Sequence, residues 1–255
     1  MRRQLKVRIA FGVLIAAFVL AAGMLLRAEP PQAVGTWATL GTTPESRVGA
    51  AAVALPDGRT LIAGGSIGAA PTDSVVVFDS ADGSFTTAGH LLVPRVGHTA
   101  TLLDDGRVLI AGGTAGSLVS GDLELFDPVV GASVLAGAMI QPRTGHAAAR
   151  LADNKVLITG GTGIDGVLQS AEIYDPATGL TSATTLPMLS PRTGASATTL
   201  IDGRVLIAGG NNGTADLASA EIFSASSQIF EAATTSLSVA RSATQRCSSR
   251  GTTAS

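Results

Sequence analysis

Residues 95–113 read RVGHTATLLDDGRVLIAGG, and stretches with the same pattern begin at Arg47, Arg143 and Arg192. The Arg occurs once more at Arg241, so its successive copies are 48 or 49 residues apart. Each of the four stretches ends in a pair of glycines. The pairs are Gly64-Gly65, Gly112-Gly113, Gly160-Gly161 and Gly209-Gly210. Two independent markers that keep one period indicate a protein built from a repeated structural unit.

Each copy of the repeat predicts four strands and no helix. A strand of small residues follows the Arg, and a turn such as Asp105-Gly106 leads to a second strand that is apolar throughout. Asp-Gly pairs close tight hairpins because they tolerate positive φ, and continuous apolarity indicates burial on both faces of the strand. A longer loop then precedes a third strand, such as residues 123–126. A weaker fourth strand includes Phe85, Val134, Leu180 or Phe230.

This arrangement is typical of a β-propeller, in which each repeat forms one four-stranded blade. A β-sandwich would not repeat its markers so regularly, and a β-helix would use much shorter coils. The sequence therefore predicts an all-β protein with four complete blades. We expect the first strands of these blades near residues 49–54, 97–103, 145–151 and 195–200, and a partial fifth blade from Arg241.

The repeat resembles the kelch family, which shares its propeller with galactose oxidase. The resemblance covers Trp37 to about Ala243 and implies a kelch-type β-propeller, preceded here by an N-terminal hydrophobic helix. It implies little about function, because propellers host many unrelated activities. The residues that carry it are the glycine pairs, the openings 95–98 and 143–146, the third-strand aromatics Phe78, Phe126, Tyr174 and Phe223, and Trp37 at the fourth-strand position. The fourth-strand Trp of the family is present only at Trp37.

Residues 1–28 are predicted to be an export signal or a single transmembrane anchor. Four basic residues among the first eight precede the uncharged run Ile9–Leu26. Small residues at 21–23 would permit cleavage of a signal peptide; alternatively, the whole run stays in the membrane, since its length is at the lower limit for a span. The basic leader stays in the cytoplasm. The body is therefore expected outside it, secreted or periplasmic, or anchored through residues 9–26.

The charge balance of the body excludes some classes of partner. Five of the 17 basic residues precede Glu29, which leaves 12 basic against 19 acidic residues in the rest of the chain. A body with a net charge of −7 is unsuited to nucleic acid, which needs cations to neutralise its phosphates. Contact with a membrane is expected only through the N-terminal segment. The single cysteine, Cys247, excludes an intrachain disulfide and Cys-based zinc or iron–sulfur sites.

The two ends of the repeat array are predicted to be incomplete. After a linker at residues 29–35, Trp37 begins a fourth strand without the first three, and such a strand normally completes the last blade of a closed ring. The tail at residues 244–255 shares nothing with the repeat that ends at residue 243. A shift of reading frame at Ala243 permits the string His-Thr-Ala-Met-Leu-Leu, close to residues 98–103, and a natural short tail is the alternative. Because each blade face is apolar, we expect an open arc that self-associates through its edges, rather than a closed four-bladed ring.

Three groups of residues are candidates for chemistry. Gly161–Gly166 matches the GxGxxG fingerprint, but a strand follows it instead of the helix that binds pyrophosphate. Copper chemistry of the galactose oxidase type needs two Tyr ligands. This chain has only Tyr174, in a position otherwise held by Phe. His98 and His146 occupy equivalent places in successive blades, where they either form a shared ligand site or satisfy backbone groups beside the preceding Arg.

We interpret the repeated residues as structural, because a scaffold needs one charge in every blade whereas catalysis needs a group once. Each Arg is expected to bind backbone carbonyls or the series Glu124, Glu172 and Glu221. No catalytic, cofactor-binding or metal-binding residue is predicted. The structural positions are Arg47, Arg95, Arg143, Arg192, Trp37, Tyr174, Gly64, Gly65, Gly112, Gly113, Gly160, Gly161, Gly209 and Gly210.

The sequence is compatible with two classes of function. The first is a non-enzymatic interaction scaffold that binds a protein or a glycan through the loops between strands. The second is an exported enzyme that acts on sugars, such as an isomerase or a hydrolase. An enzyme should carry non-repeating polar residues in one set of loops, whereas loops 66–73 and 114–122 consist mainly of small residues. This composition favours the scaffold.

Overall fold

The computed structural model of the chain describes residues 45–242. The predicted export segment, the linker at 29–35, Trp37 and the tail at 244–255 lie outside the described residues. The described residues form 22 strands and no helix, which confirms the all-β prediction. Across residues 45–242, no helix that could cross a membrane is found.

The strands form four successive units, numbered one to four, each with four antiparallel strands in chain order. In each of the first three units, a two-stranded hairpin lies between the second and third strands. Unit one contains β1 (Ala51–Ala54), β2 (Thr60–Ala63), the hairpin β3 (Ser66–Ile67) and β4 (Ala70–Pro71), β5 (Ser74–Asp79) and β6 (Ser84–His90). Unit two contains β7 (Thr99–Leu102), β8 (Val108–Ala111), the hairpin β9 (Thr114–Ala115) and β10 (Leu118–Val119), β11 (Asp122–Asp127) and β12 (Ala132–Ala138).

The other two units repeat this order. Unit three contains β13 (Ala147–Arg150), β14 (Val156–Thr159), the hairpin β15 (Thr162–Gly163) and β16 (Gly166–Val167), β17 (Ala171–Asp175) and β18 (Leu180–Ala183). Unit four contains β19 (Ser196–Thr199), β20 (Val205–Ala208), β21 (Ala220–Ser224) and β22 (Ile229–Ala232). In unit four, a bridge between Asn211 and Asp216 takes the place of the short hairpin.

The first strands begin one to two residues later than predicted. The residue directly after each Arg does not join the first strand; it forms an isolated bridge with the first residue of the hairpin region. Val96 pairs with Thr114 in this way, and Thr144 pairs with Thr162. The backbone after the Arg is thus held by the hairpin before the strand starts. The partial fifth blade predicted from Arg241 lies outside the described residues, since only Ser242 follows Arg241 among them.

Neighbouring units meet along their first strands. β1 lies against β7, β7 against β13, and β13 against β19. The glycine before each of these strands continues the contact, because Gly97 N donates to Gly49 O, Gly145 N to Gly97 O and Gly194 N to Gly145 O. At the outer edge, a parallel pair of Ala132 with His90 joins β12 to β6. That pair merges units one and two into one eight-stranded sheet, and the whole arrangement is propeller-like.

The hydrophobic core lies between the units. Three apolar clusters fill the interfaces of units one and two, two and three, and three and four. The second strand of an inner unit serves two of them, because alternate residues point to opposite faces. In β8, Val108 and Ile110 pack toward unit one, whereas Leu109 and Ala111 pack toward unit three. Continuous apolarity in this strand therefore does reflect burial on both faces.

The two terminal units bury only one face of the second strand. All four residues of β8 and of β14 are buried. In β2, by contrast, only Leu61 and Ala63 are buried, and in β20 only Val205 and Ile207. In both strands, the partly buried residues point away from the neighbouring unit. Residues 45–242 thus form an array with two partly open ends.

Candidate functional site: the hairpin face

The repeated Arg of each inner unit is buried and bonds to its own unit. Arg143 donates from Nη1 to Gly160 O at 2.9 Å and to Ser170 O at 3.0 Å. Its Nη2 forms an ion pair with Glu172 at 2.5 Å, and 0% and 2% of the two side chains are exposed. Arg95 and Arg192 make the same contacts in their own units. The buried charge is tolerated because it is paired with a carboxylate and its Nη groups also donate to backbone carbonyls; Nε of Arg143 donates to Gln141 O, whereas Nε of Arg95 and of Arg192 has no partner.

The glutamate of this pair also holds the linker that precedes the Arg. Glu172 accepts hydrogen bonds from Ile140 N at 2.7 Å and Gln141 N at 3.0 Å. Glu221 does the same for Leu189 and Ser190. One carboxylate thus connects the incoming linker, the Arg and the third strand, which explains why the charge recurs in the repeat.

Unit one departs from this pattern in two coupled ways. Val76 stands where the other units have the glutamate, and Arg47 instead pairs with Glu45 at 3.3 Å. The repeat position of Ile140 is taken in the sequence by Pro44, which has no N–H to donate. Unit one thus lacks both the glutamate carboxylate and one of the linker N–H groups that donate to it in the other units.

The two glycines of each pair bond to different units. Gly160 O accepts the hydrogen bond from Arg143 of its own unit, whereas Gly161 N donates to Arg192 O of the next unit at 2.8 Å. The two residues have φ of 65° and 91°, where a side chain is strained. A Cβ at Gly161 would also lie 2.7 Å from Thr144 O. The glycines are required by this close approach of backbones.

His98 and His146 are buried at successive unit interfaces. His146 Nε2 lies 2.9 Å from Thr99 Oγ1, whereas the ring nitrogens of His98 lie near the backbone of Ala63 and Arg95 without a well-formed hydrogen bond. Burial and the nearby guanidinium of Arg95 lower the pKa of His98 to about 4. Burial, Arg143 and His98 lower the pKa of His146 to about 3. Both rings are therefore neutral at physiological pH. Between residues 45 and 242, no group of three or more His, Cys, Asp or Glu could hold a metal ion.

Tyr174 and the GxGxxG segment also lie inside the repeat. Tyr174 is 1% exposed in the core cluster between units two and three. Its hydroxyl donates to Ala136 O at 3.2 Å, and burial raises its pKa. Residues 161–166 form the hairpin β15–β16, and the strand β17 follows them. They thus lack the helix N-terminus that a dinucleotide pyrophosphate needs.

The two ends of the units differ in how their acidic residues are paired. We call the end with the short turns of the first hairpin the turn face. Every unit has the same ion pair there, because the Asp of the turn binds a cation two residues later. The pairs are Asp57–Arg59, Asp105–Arg107, Asp153–Lys155 and Asp202–Arg204, at 2.6–3.1 Å. A feature that is equal in all units stabilises turns and does not mark a site.

A cleft of about 340 Å³ opens on the turn face between units three and four. Its charged lining residues are Asp153, Lys155 and Asp175. Lys155 already forms the repeated ion pair with Asp153, and it lies 4.0 Å from Asp175. The cleft therefore offers no charged group beyond those that the repeat uses for its own turn.

We call the opposite end the hairpin face. It consists of the four segments between second and third strands, at residues 66–73, 114–122, 162–170 and 211–219. These segments contain no Lys, Arg or His and carry the acids Asp73, Asp122, Asp165 and Asp216. The linkers between units lie at the same end, since Leu91 N donates to Asp73 O and Met139 N to Gly121 O. The acids of the hairpin segments therefore have no cation within these segments, and Asp73 pairs instead with His90 of β6 at 3.1 Å.

The hairpin face also exposes apolar side chains. Leu118 is 73% and Ile164 90% exposed, at the tips of the second and third hairpins. The linkers add Leu92, Ile140 and Leu189, which occupy one repeat position and are 52–62% exposed. The sequence indicates only that loops 66–73 and 114–122 consist mainly of small residues, because single Leu or Ile residues in a loop carry no periodic signal. Their position at one end appears only when strands define where the loops project.

Comparison with known proteins identifies the fold and no closer relationship. No family model matches the chain, and no curated protein matches it. A solved structure of YjhT superposes with a TM-score of 0.70 at 16% sequence identity, covering 83% of this chain and 77% of that one. In all, 377 chains of solved structures match this fold, so the fold does not discriminate between functions. At this identity the likeness to YjhT shows a common fold alone.

Proposed function

We propose that the protein is an exported kelch-type β-propeller that binds a partner through its hairpin face without catalysing a reaction. In this proposal the four units are four complete blades, Arg241 begins a partial fifth, and residues 1–28 direct the chain out of the cytoplasm. The partner is a protein, with a glycan as the alternative. The observation that carries the proposal is that the hairpin segments combine the exposed Leu118 and Ile164 with acids and contain no Lys, Arg or His, whereas each turn Asp of the opposite face has its own cation.

The hairpin face carries side chains that the repeat itself does not need. The Arg–Glu pairs, the glycine pairs and the turn-face ion pairs recur in every inner unit and are explained by structure. The hairpins differ between units, and Leu118 and Ile164 are exposed at their tips without an internal packing role. Apolar side chains at loop tips around acidic groups are suited to a partner that offers apolar contacts and cations.

Photo-crosslinking tests the face directly. A photoreactive amino acid replaces Ile164 in one variant and Val129 in the other. Val129 is 94% exposed and lies in a turn-face loop, so it is a control of matched exposure. We expect a discrete protein adduct from position 164 and none from position 129, after illumination of cells that express the full chain. Equal adducts from both positions would contradict a specific hairpin face.

The nature of the partner needs a second measurement. Glycan-array binding that is lost in a Leu118→Glu variant, together with no protein adduct, would replace the protein partner by a glycan. Conversion of a sugar by the full chain would favour the enzyme that the sequence left open. Fusion of the chain to a reporter that needs disulfide formation tests export, because disulfides persist outside the cytoplasm.

A further inference from the structure

The outer sheet faces of units one and four carry the same types of residue as the two sides of an interface between neighbouring units. We define the leading face as Thr60, Ile62 and Phe78 of unit one, and the trailing face as Leu206, Ala208 and Ile222 of unit four. All six residues are only partly buried, although Val76 and Ala220, which lie beside Ile62 and Ala208 on the same faces, are buried. Their counterparts in the inner units are buried, as in β8, β14 and β17. Within residues 45–242, each terminal face thus lacks the neighbouring unit that every inner unit has.

The internal interface of units two and three shows what each face binds. There, Leu109 and Leu125 of unit two pack with Val156, Ile158 and Tyr174 of unit three. The period of the repeat aligns Leu206 and Ile222 with Leu109 and Leu125. It also aligns the leading face with residues 156, 158 and 174. A trailing face therefore has the residues that bind a leading face, in the pattern that the chain uses three times internally.

The backbone hydrogen bonds beside the first strands also run in one direction along the array, from each unit to the preceding one. Each inner glycine donates its N–H to the glycine of the preceding unit and accepts a hydrogen bond from the following one. The series ends at Gly49, whose N–H has no such acceptor, and at Gly194, whose carbonyl has no such donor, among residues 45–242. The free donor lies at the leading end and the free acceptor at the trailing end.

We propose that a second copy of this chain packs its leading face on the trailing face of the first copy, head to tail. The contact continues the established interface between units, with Gly49 N of one copy donating to Gly194 O of the other. It is heterologous, so copies either close into a ring or extend as a filament. The hairpin faces of successive copies then lie on the same side. This inference does not depend on the proposed partner of the hairpin face.

Crosslinking between two differently tagged full-length chains tests the polarity. Both carry Cys247→Ser, one has Ile62→Cys and the other Leu206→Cys. Packed sheets lie about 10 Å apart, farther than a disulfide can span, so a bis-maleimide of that reach is used. We expect a crosslinked dimer in the mixture and little in either variant alone. A chain with Val129→Cys in place of Leu206→Cys is the control and should remain uncrosslinked.

Three outcomes would overturn the proposal. Dimers from the Ile62→Cys chain alone would show a contact between identical faces. A crosslink within a single chain that carries both Ile62→Cys and Leu206→Cys would show that units one and four meet in one molecule. No crosslink in any mixture would show that the faces are covered by other means. In sedimentation, Ile62→Glu should abolish the oligomer while Val129→Glu retains it, and circular dichroism verifies that both variants are folded.

Discussion

Arg192 and Glu221 form an ion pair of 2.6 Å in which only 1% and 2% of the two side chains are exposed. The same carboxylate accepts hydrogen bonds from Leu189 N and Ser190 N, which precede the Arg in the linker between units three and four. Glu221 thereby positions the linker at the entry to its unit. Because the pair is buried, the stability of the fold depends on the ion pair and the hydrogen bonds that these two side chains make.

Removal of one partner of such a pair should be costly. We expect Glu172→Gln to lower the free energy of unfolding by about 3–5 kcal/mol, because it leaves the Arg143 guanidinium buried without its counter-charge. Denaturation in urea, followed by circular dichroism, measures the change. Asp105→Asn in the solvent-exposed turn-face pair is the control and should leave the midpoint nearly unchanged. A small effect of Glu172→Gln would show that the ion pair is dispensable for stability.

Two glycines of similar conformation separate backbone strain from steric clash. Gly64 and Gly68 have φ of 57° and 59°. A Cβ at Gly64 would lie 2.7 Å from Arg95 O, whereas nothing lies within 4 Å of one at Gly68. We expect Gly68→Ala to cost about 1–2 kcal/mol for its left-handed backbone, and Gly64→Ala roughly 1–3 kcal/mol more for the clash. Equal unfolding free energies for the two variants would contradict the close approach of units one and two.

Truncation of equivalent leucines should distinguish inner from terminal units. Leu109 and Leu157 are 1% and 0% exposed, and replacement of either by Ala should cost about 2–5 kcal/mol. Leu206 occupies the same position in unit four but is only partly buried, so Leu206→Ala should cost clearly less in a monomer. Thermal or urea unfolding at low protein concentration measures all three. An equal cost at Leu206 would indicate that its face is already covered within one chain.

The buried histidines predict loss of stability in mild acid. The pKa values of His98 and His146 are lowered to about 4 and about 3 in the folded chain, so the unfolded chain, with a pKa near 6.5 for His, binds protons first. Their contribution is fully retained above about pH 6.5 and is lost as the pH falls toward 4. Each ring then steepens the decline by up to about 1.4 kcal/mol per pH unit.

Urea midpoints between pH 7 and pH 4.5 measure this slope. We expect His98→Gln to have a shallower decline than the parent protein. His90 lies on the surface with 63% of its side chain exposed, and His90→Gln is the control for replacement of a histidine outside the core. If His98→Gln and the parent protein decline in parallel, protonation of His98 does not limit stability in acid.

Much of the fold was predictable because its signals are local and repeated. The Asp-Gly turns mark hairpins by their chemistry, and the apolar run Val108–Ala111 indicates a strand buried on both sides. The fourth-strand residues Phe85, Val134, Leu180 and Phe230 all lie in the strands where they were expected. The short hairpins β3–β4, β9–β10 and β15–β16 were not predicted, because two-residue strands are too short to show a period.

The residues of the hairpin face were harder to predict from the sequence than the strands. Leu118, Ile164 and the acids of the hairpin segments are scattered along the chain, and nothing in their spacing relates them. They share one end of the molecule only because each segment connects the same two strands of a unit. The coupled change of glutamate to Val76 and of a donor to Pro44 was also visible only after Glu172 was seen to bind the linker N–H groups.

The sequence by itself determined the repeated unit, its all-β character and the order of its strands, because turn chemistry and apolar periodicity act over a few residues. Only the tertiary structure decided which partners the buried charges take, which loops share a face and which sheet faces lack a neighbour. The physical reason is that these properties arise between units. Leu109 and Leu206 have the same local sequence, Val-Leu-Ile-Ala, yet one lies in a core and the other at an open end, according to what packs beside it.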